Sequence, residues 1–309
     1  MSGLRSMVEE YLAIRRALGF TLRAPAVLLE HFLRFAEQDH AEFITTDLAM
    51  RFVMQPGKAG PVTRGVRLRT VRLLAGYCAT RDPRTEVPSR DLLPCRYRRQ
   101  QPYIYTDEEI ASLLAVAVRL PSRTGLRAAT YTTLYGLLAV TGFRISEAVD
   151  LDRRDVDLEQ GLITVRRTKF GKTRWVPLHA TTVTALRQYG SRRDEVHPSP
   201  RTSHFFLSED GAPITQCMAR WTFVRLSREL GLRQPGDSHG PRLHDFRHRF
   251  AVATLLAWYR EGKNVERLLP VLSTYLGHVH VNDTYWYLTA VPELLALASA
   301  RTPSKEVQR

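Results

Sequence analysis

The chain has 309 residues, enough for two cored domains, because single hydrophobic cores stop growing somewhat below this size. Its 44% hydrophobic and 25% charged content is globular, which sets aside disordered and collagen-like classes. Lysine and arginine number 45 against 31 acidic residues, a formal charge of +14 carried mostly by arginine. Such a field attracts polyanions, and the planar arginine fork binds phosphate in bidentate fashion, so nucleic acid is the leading partner. The plainer reading is a basic protein from a GC-rich genome, where arginine codons are plentiful.

No uninterrupted apolar run opens the chain, and no segment reaches the roughly 18 apolar residues of a membrane span. A cytoplasmic protein without membrane contact is expected. Cys78, Cys95 and Cys217 are too few and too scattered for a disulfide framework or a zinc knuckle.

From Met7 to Glu37 apolar residues recur at helical spacing on both sides of Gly19-Phe20-Thr21, which predicts a helical hairpin. A third helix follows Thr45-Thr46-Asp47, and a fourth runs from Val66 to Ala79 with Arg64, Arg67, Arg69 and Arg72 along it. Arginines on a helix are commonly a solvated face; here they also suit a clamp on DNA phosphates. Residues 83–101, with prolines among arginines, read as an extended basic linker.

Thr106-Asp107-Glu108-Glu109 has the form of a helix start, with acidic residues in its first turn. Helices continue to Thr141. Leu162–Val165 and Trp175–Leu178 then flank Lys169-Phe170-Gly171-Lys172 as a β-hairpin, and a third short strand is expected at Phe205-Phe206-Leu207. From Thr215 onward the pattern is helical again.

Three constellations carry chemistry. In Thr141-Gly142-Phe143-Arg144-Ile145-Ser146-Glu147 a glycine ends an apolar helix and an arginine sits just past the break, either to meet an anion or to pair with Glu147. In His244-Asp245-Phe246-Arg247-His248, His244 and Arg247 share a helical face and can grip one phosphate. His244 and His248 are also spaced like zinc ligands, but Asp245 stands where a metalloprotease needs glutamate and Arg247 places a cation between them, so no metal is expected. Third, Tyr275-Leu276-Gly277-His278 is followed by Thr284-Tyr285-Trp286-Tyr287, a histidine and a tyrosine near one turn. Singly, each could be ordinary packing.

In this order, from about Thr106 to Leu297, the residues resemble the tyrosine recombinase, or phage integrase, family. The family's T-G-x-R-x-S-E box falls on Thr141–Glu147, its hairpin K-x-x-K-x-R-x-V-P-L on Lys169–Leu178, and its H-x-x-R-H box on His244–His248. Its L-G-H box gives His278, and the tyrosine nine residues later is Tyr287, with Tyr285 as a decoy. The stretch from Tyr259 to Pro270 is several residues longer than usual. The resemblance implies a mainly α fold with a small antiparallel β-sheet, an α+β arrangement. A helical core-binding domain (1–82) and the linker (83–101) precede the catalytic domain (102–300).

The implied reaction is site-specific cleavage and rejoining of DNA through a 3′-phosphotyrosine. Arg144 and Arg247 would clamp the phosphate, with His278 adding a hydrogen bond. His244 is the candidate base for the Tyr287 phenol, and the resemblance makes Lys169 the general acid for the 5′-oxygen. Because the phosphotyrosine stores the bond energy, no cofactor and no metal is expected. The implied partners are double-stranded DNA and a homo-tetramer on two sites, or a mixed assembly with related recombinases. The segment from Thr289 to Ala300 either packs on a neighbouring protomer or folds back on its own domain. Competing readings are a type IB topoisomerase and a DNA-binding accessory protein without catalysis.

Overall fold

The computed structural model of the protein describes residues 3–55, 57, 59–93, 101–166, 173–237, 240–289 and 292–300. The chain divides into two compact units, Met1–Gln100 and Gln101–Arg309.

The first unit is helical: α1 (Gly3–Ala17), α2 (Arg23–Gln38), α3 (Thr46–Val53) and α4 (Pro61–Cys78). Leu4, Val8 and Tyr11 of α1 recur every three to four residues and meet Leu29, Phe32 and Leu33 of α2 in one core with Phe52 of α3 and Leu68, Val71 and Leu74 of α4. The expected breaks have their chemical cause. Gly19 adopts φ +87° between α1 and α2, and the Thr45 side chain caps α3 by accepting from the Leu48 amide at 3.1 Å.

Residues 83–93, expected as linker, are instead held to this unit. Glu86 donates its amide to the Ile44 carbonyl at 2.8 Å and accepts from the Thr46 amide at 2.8 Å, supplying a partner to the open first turn of α3. Thr85 is buried and Leu93 packs on the core, so proline content here marks an anchored strap.

The second unit begins with α5 (Asp107–Val118), whose Thr106 and Glu109 form a reciprocal capping box. It continues through α6 (Leu126–Thr141), α7 (Ile145–Val149), β1 (Val156–Asp157), β2 (Leu162–Val165), β3 (Arg174–Pro177), α8 (Ala180–Val196) and α9 (Gln216–Glu229). The last elements are α10 (Asp245–Arg260), α11 (Val265–Leu276), α12 (Asn282–Tyr285), a 3-10 turn (Trp286–Thr289) and α13 (Pro292–Ala300). The sheet is antiparallel in the order β1-β2-β3, with Ile163 opposite Val176 and Val165 opposite Arg174.

The two paired strands are thus as expected, the Lys169-Phe170-Gly171-Lys172 turn lying outside the described residues, but the third strand is β1. Phe205, Phe206 and Leu207 are all buried without alternation, and the Leu207 amide donates to the Tyr189 hydroxyl at 2.9 Å, where a strand would find a neighbour's carbonyl. Only isolated bridges form there, Asp152 with His204 and Leu207 with Pro213.

One core gathers α5, α6, α8 and α9 around Tyr135, Phe223 and Phe246. A second joins α10, α11 and the C-terminal elements through Val252, Leu255, Leu272, Leu276, Tyr287 and Leu294. In this structure α13 therefore folds back on its own unit, with Arg260 of α10 and Glu293 of α13 paired at 2.7 Å. Among the described residues no helix is long and apolar enough to cross a membrane.

Candidate active site

The site is organised by the end of one helix. An α-helix leaves its last carbonyls without intrahelical partners and carries partial negative charge there. At α11, Gly277 takes the left-handed conformation (φ +68°). His278 then donates its amide to Ser273 and Gly277 donates to Thr274, each at 2.9 Å, which closes the helix in a Schellman turn. The next three carbonyls, those of Tyr275, Leu276 and Gly277, receive three guanidinium groups from three other segments.

Arg174 of β3 donates Nε to the Tyr275 carbonyl at 2.7 Å, Arg247 of α10 donates Nη2 to that of Leu276, and Arg144 donates Nη2 to that of Gly277 at 3.1 Å. Arg247 also donates Nη1 to the Gly142 carbonyl at 3.0 Å. Gly142 is the left-handed residue ending α6 (φ +62°), and a Cβ there would lie 2.8 Å from the Phe250 ring, so the glycine of the first box is demanded by both conformation and space.

Glu147 of α7 joins the first and third arginines. Its Oε1 accepts from Arg144 Nη1 at 2.7 Å and Arg174 Nη1 at 3.1 Å; its Oε2 accepts from the Arg144 amide at 3.0 Å and Arg174 Nη2 at 2.8 Å. Burial opposes ionisation of this carboxyl, but the two guanidinium groups and the Arg144 amide outweigh it and hold Glu147 at about 2. The pairing with Glu147, one of the two alternatives left open for Arg144 in the sequence, is present, and the Arg144 side chain remains 26% exposed. Arg247, by contrast, is fully buried, and burial together with the Arg144 charge lowers it to about 10, still protonated at neutral pH.

Tyr287, on the 3-10 turn, is buried at 1% exposure within the second core. Its ring lies beside those of His248 (centroids 5.5 Å apart) and His278 (6.1 Å, nearly parallel). Of these two histidines, His278 is the one read as a candidate, and its Nδ1 is 2.8 Å from Thr284 Oγ1. Tyr285 is exposed, and among the described residues its ring has no such neighbours.

His244 stands just before α10, one turn from Arg247, with its ring 4.8 Å from that of His248. Partial burial and the Arg247 charge lower its imidazole to about 4, so it is neutral at physiological pH and able to accept a proton. No cluster of metal-ligating side chains occurs among the described residues.

Of the six site residues read from the sequence, the structure gathers Arg144, Arg247, His278 and Tyr287, places His244 one helical turn from Arg247, and leaves Lys169 outside the described residues. Two neighbours went unassigned in the sequence. Arg174 is the arginine of the hairpin box, and strand alternation puts it on the same side as buried Val176; His248 is the final residue of its own box.

Residues 104–293 match the phage integrase family. The chain is 47% identical over 305 residues to a putative integrase/recombinase of Sinorhizobium fredii, y4rB, covering 97% of each chain. It is 28% identical over 305 residues to the tyrosine recombinase XerA of Thermococcus kodakarensis, covering 97% of this chain and 96% of that one. Among solved structures, the Tn1549 transposon integrase in complex with transposon right end DNA superposes with a TM-score of 0.67 at 18% identity, over 95% of this chain and 97% of that one. With its boxes converging on one helix end and its whole length shared with these relatives, the chain belongs to the phage integrase family and is an enzyme of the tyrosine recombinase kind.

Proposed function

We propose that this enzyme cuts and reseals specific DNA sites through a 3′-phosphotyrosine on Tyr287. The observation that carries the reading is the pair Arg144 and Arg247, hung on adjacent carbonyls at the end of α11 in the same unit as Tyr287 and His278. Attack on a phosphodiester builds charge on its non-bridging oxygens, and fixed guanidinium groups stabilise that charge without reorganising when it forms. His278 adds a hydrogen bond to the same phosphate. His244, neutral at physiological pH, accepts the phenol proton, and Lys169 protonates the departing 5′-oxygen. The 5′-hydroxyl of a second strand then resolves the phosphotyrosine, with no cofactor required.

Since Tyr287 is buried, the 3-10 turn and α12 must shift for the phenol to reach DNA, and DNA binding supplies that free energy through contacts to the shifted state. The first unit supplies the clamp: Arg64, Arg67, Arg69 and Arg72 lie on α4, which contains no acidic residue. The partner is double-stranded DNA, held by a homo-tetramer on two sites or by a mixed assembly with related recombinases. Likeness to an integrase/recombinase supports service to a mobile element, and the enzyme acts in the cytoplasm with its DNA.

The test is incubation of wild type and Tyr287→Phe with nicked half-site DNA from the borders of its genetic element, followed by a denaturing gel. A covalent adduct with wild type alone is expected. An adduct that persists in Tyr287→Phe sinks the assignment.

A further inference from the structure

Arg174 differs from the other two arginines at the end of α11 in what its guanidinium faces. Three of its nitrogens donate within the protein, two of them side by side to the Glu147 carboxylate and one to the Tyr275 carbonyl, and the side chain is 9% exposed. Gly277 is closed against it, since a Cβ there would lie 2.9 Å from Arg174 Nη1. The group is built into the wall of the site and does not line its opening.

Its charge nevertheless bears on the opening. Glu147 lies 2.7 Å from Arg144 Nη1 and is held ionised, so Arg144 and Glu147 alone sum to zero charge where a phosphate must be gripped. Adding Arg174 brings the triad to +1. The bidentate fork, which lysine cannot reproduce, also keeps Glu147 pulled toward β3, so that the carboxylate orients Arg144 without capturing it. The same guanidinium, through Nε, ties β3, which follows Lys169 in the sequence, to the carbonyl row on which Arg144 and Arg247 hang.

We propose that Arg174 is a positioning residue for strand cleavage, acting through Glu147 to keep the net positive charge of Arg144 available to the scissile phosphate. The inference rests on the proposed role of Arg144. Arg174 touches neither DNA nor the reacting atoms; its removal leaves Glu147 as a competitor of the phosphate for Arg144.

The experiment is single-turnover cleavage of nicked half-site DNA at saturating protein, with DNA affinity measured in parallel, for wild type, Arg174→Ala, Arg174→Lys, Glu147→Gln and the double variant Arg174→Ala/Glu147→Gln. For Arg174→Ala, cleavage about 100-fold slower is expected, with DNA affinity within about threefold of wild type. Its rate should recover as pH falls and Glu147 is protonated, a trend that wild type lacks. The double variant, which removes the competing charge, should cleave at least about tenfold faster than Arg174→Ala, a non-additivity that a merely structural defect does not produce. Should Arg174→Ala fail to fold, Arg174→Lys carries the test, with cleavage about tenfold slower at unchanged affinity. Wild-type-like cleavage by Arg174→Ala or Arg174→Lys, or a double variant as slow as Arg174→Ala, overturns the inference. Absence of any adduct with wild type overturns the underlying reading instead.

Discussion

Surface ion pairs of arginine occur in both units, but α4 of the first and the candidate site of the second use arginine in opposite ways. In the first, Arg5, Arg34, Arg51, Arg81 and Arg84 pair with carboxylates at the surface, whereas Arg64, Arg67, Arg69 and Arg72 of α4 make no ion pair among the described residues. In the second, buried Arg247 and largely enclosed Arg174 are hydrogen-bonded to the α11 carbonyls, and Arg144 is tethered to the same row. Loose surface cations contribute affinity that salt can screen; fixed, desolvated ones contribute rate, because they need no rearrangement when charge develops. Under the proposed function, the contrast would separate a unit that holds DNA from one that cuts it.

The sharpest way to break this contrast is Arg247→Lys. Losing the fork that spans the Gly142 and Leu276 carbonyls should slow single-turnover cleavage by about 10²- to 10³-fold, while DNA affinity stays within about threefold. A large loss of affinity with an unchanged rate would place Arg247 in the holding class instead.

Acid titration of stability comes next. Glu147 has a folded pKa depressed from 4.5 to about 2, so its contribution is fully present above the unfolded value and is lost as pH falls from about 4.5 toward 2. The full shift corresponds to about 3 kcal/mol in the second unit. Urea midpoints measured between pH 7 and pH 3 should fall less steeply for Glu147→Gln than for wild type. Asp39, lowered by Arg51 but lying at the surface, should give no such difference as Asp39→Asn. Equal acid limbs for wild type and Glu147→Gln would contradict a buried, ionised Glu147.

The smallest effect is expected on α4. Arg69→Ala/Arg72→Ala should weaken DNA binding by about tenfold and reduce the slope of log affinity against log salt by about two, leaving cleavage at saturating DNA unchanged. A salt slope equal to that of wild type would show that α4 does not meet phosphate.

Much of the fold was legible because local chemistry wrote it. The hairpin of α1 and α2, the helix starts at Thr45 and Thr106, and the two strands β2 and β3 follow from spacing and polar or turn residues within a few positions of each other. Helix α8 was not: its buried stripe is only Leu186, Tyr189 and Arg193, set among threonines and Gly190 that favour other conformations, and packing on α6 stabilises it. The strap at 83–93 was hidden for a similar reason, as prolines among charges look like linker until Glu86 meets Ile44 and Thr46.

The candidate site divides along the same line. Sequence by itself determined the residue types and their order, including the glycines before Arg144 and His278, because those boxes are short and their backbone demands are local. Tertiary structure alone decided that Arg144, Arg174 and Arg247 hang from three successive carbonyls of α11, that Glu147 joins two of them, and that Tyr287 is buried while Tyr285 is exposed. The reason is that an orphaned helix carbonyl and a buried carboxylate choose partners by distance and desolvation, and apart from Arg144, three positions from Glu147, the residues they chose lie 27 to 133 positions away along the chain.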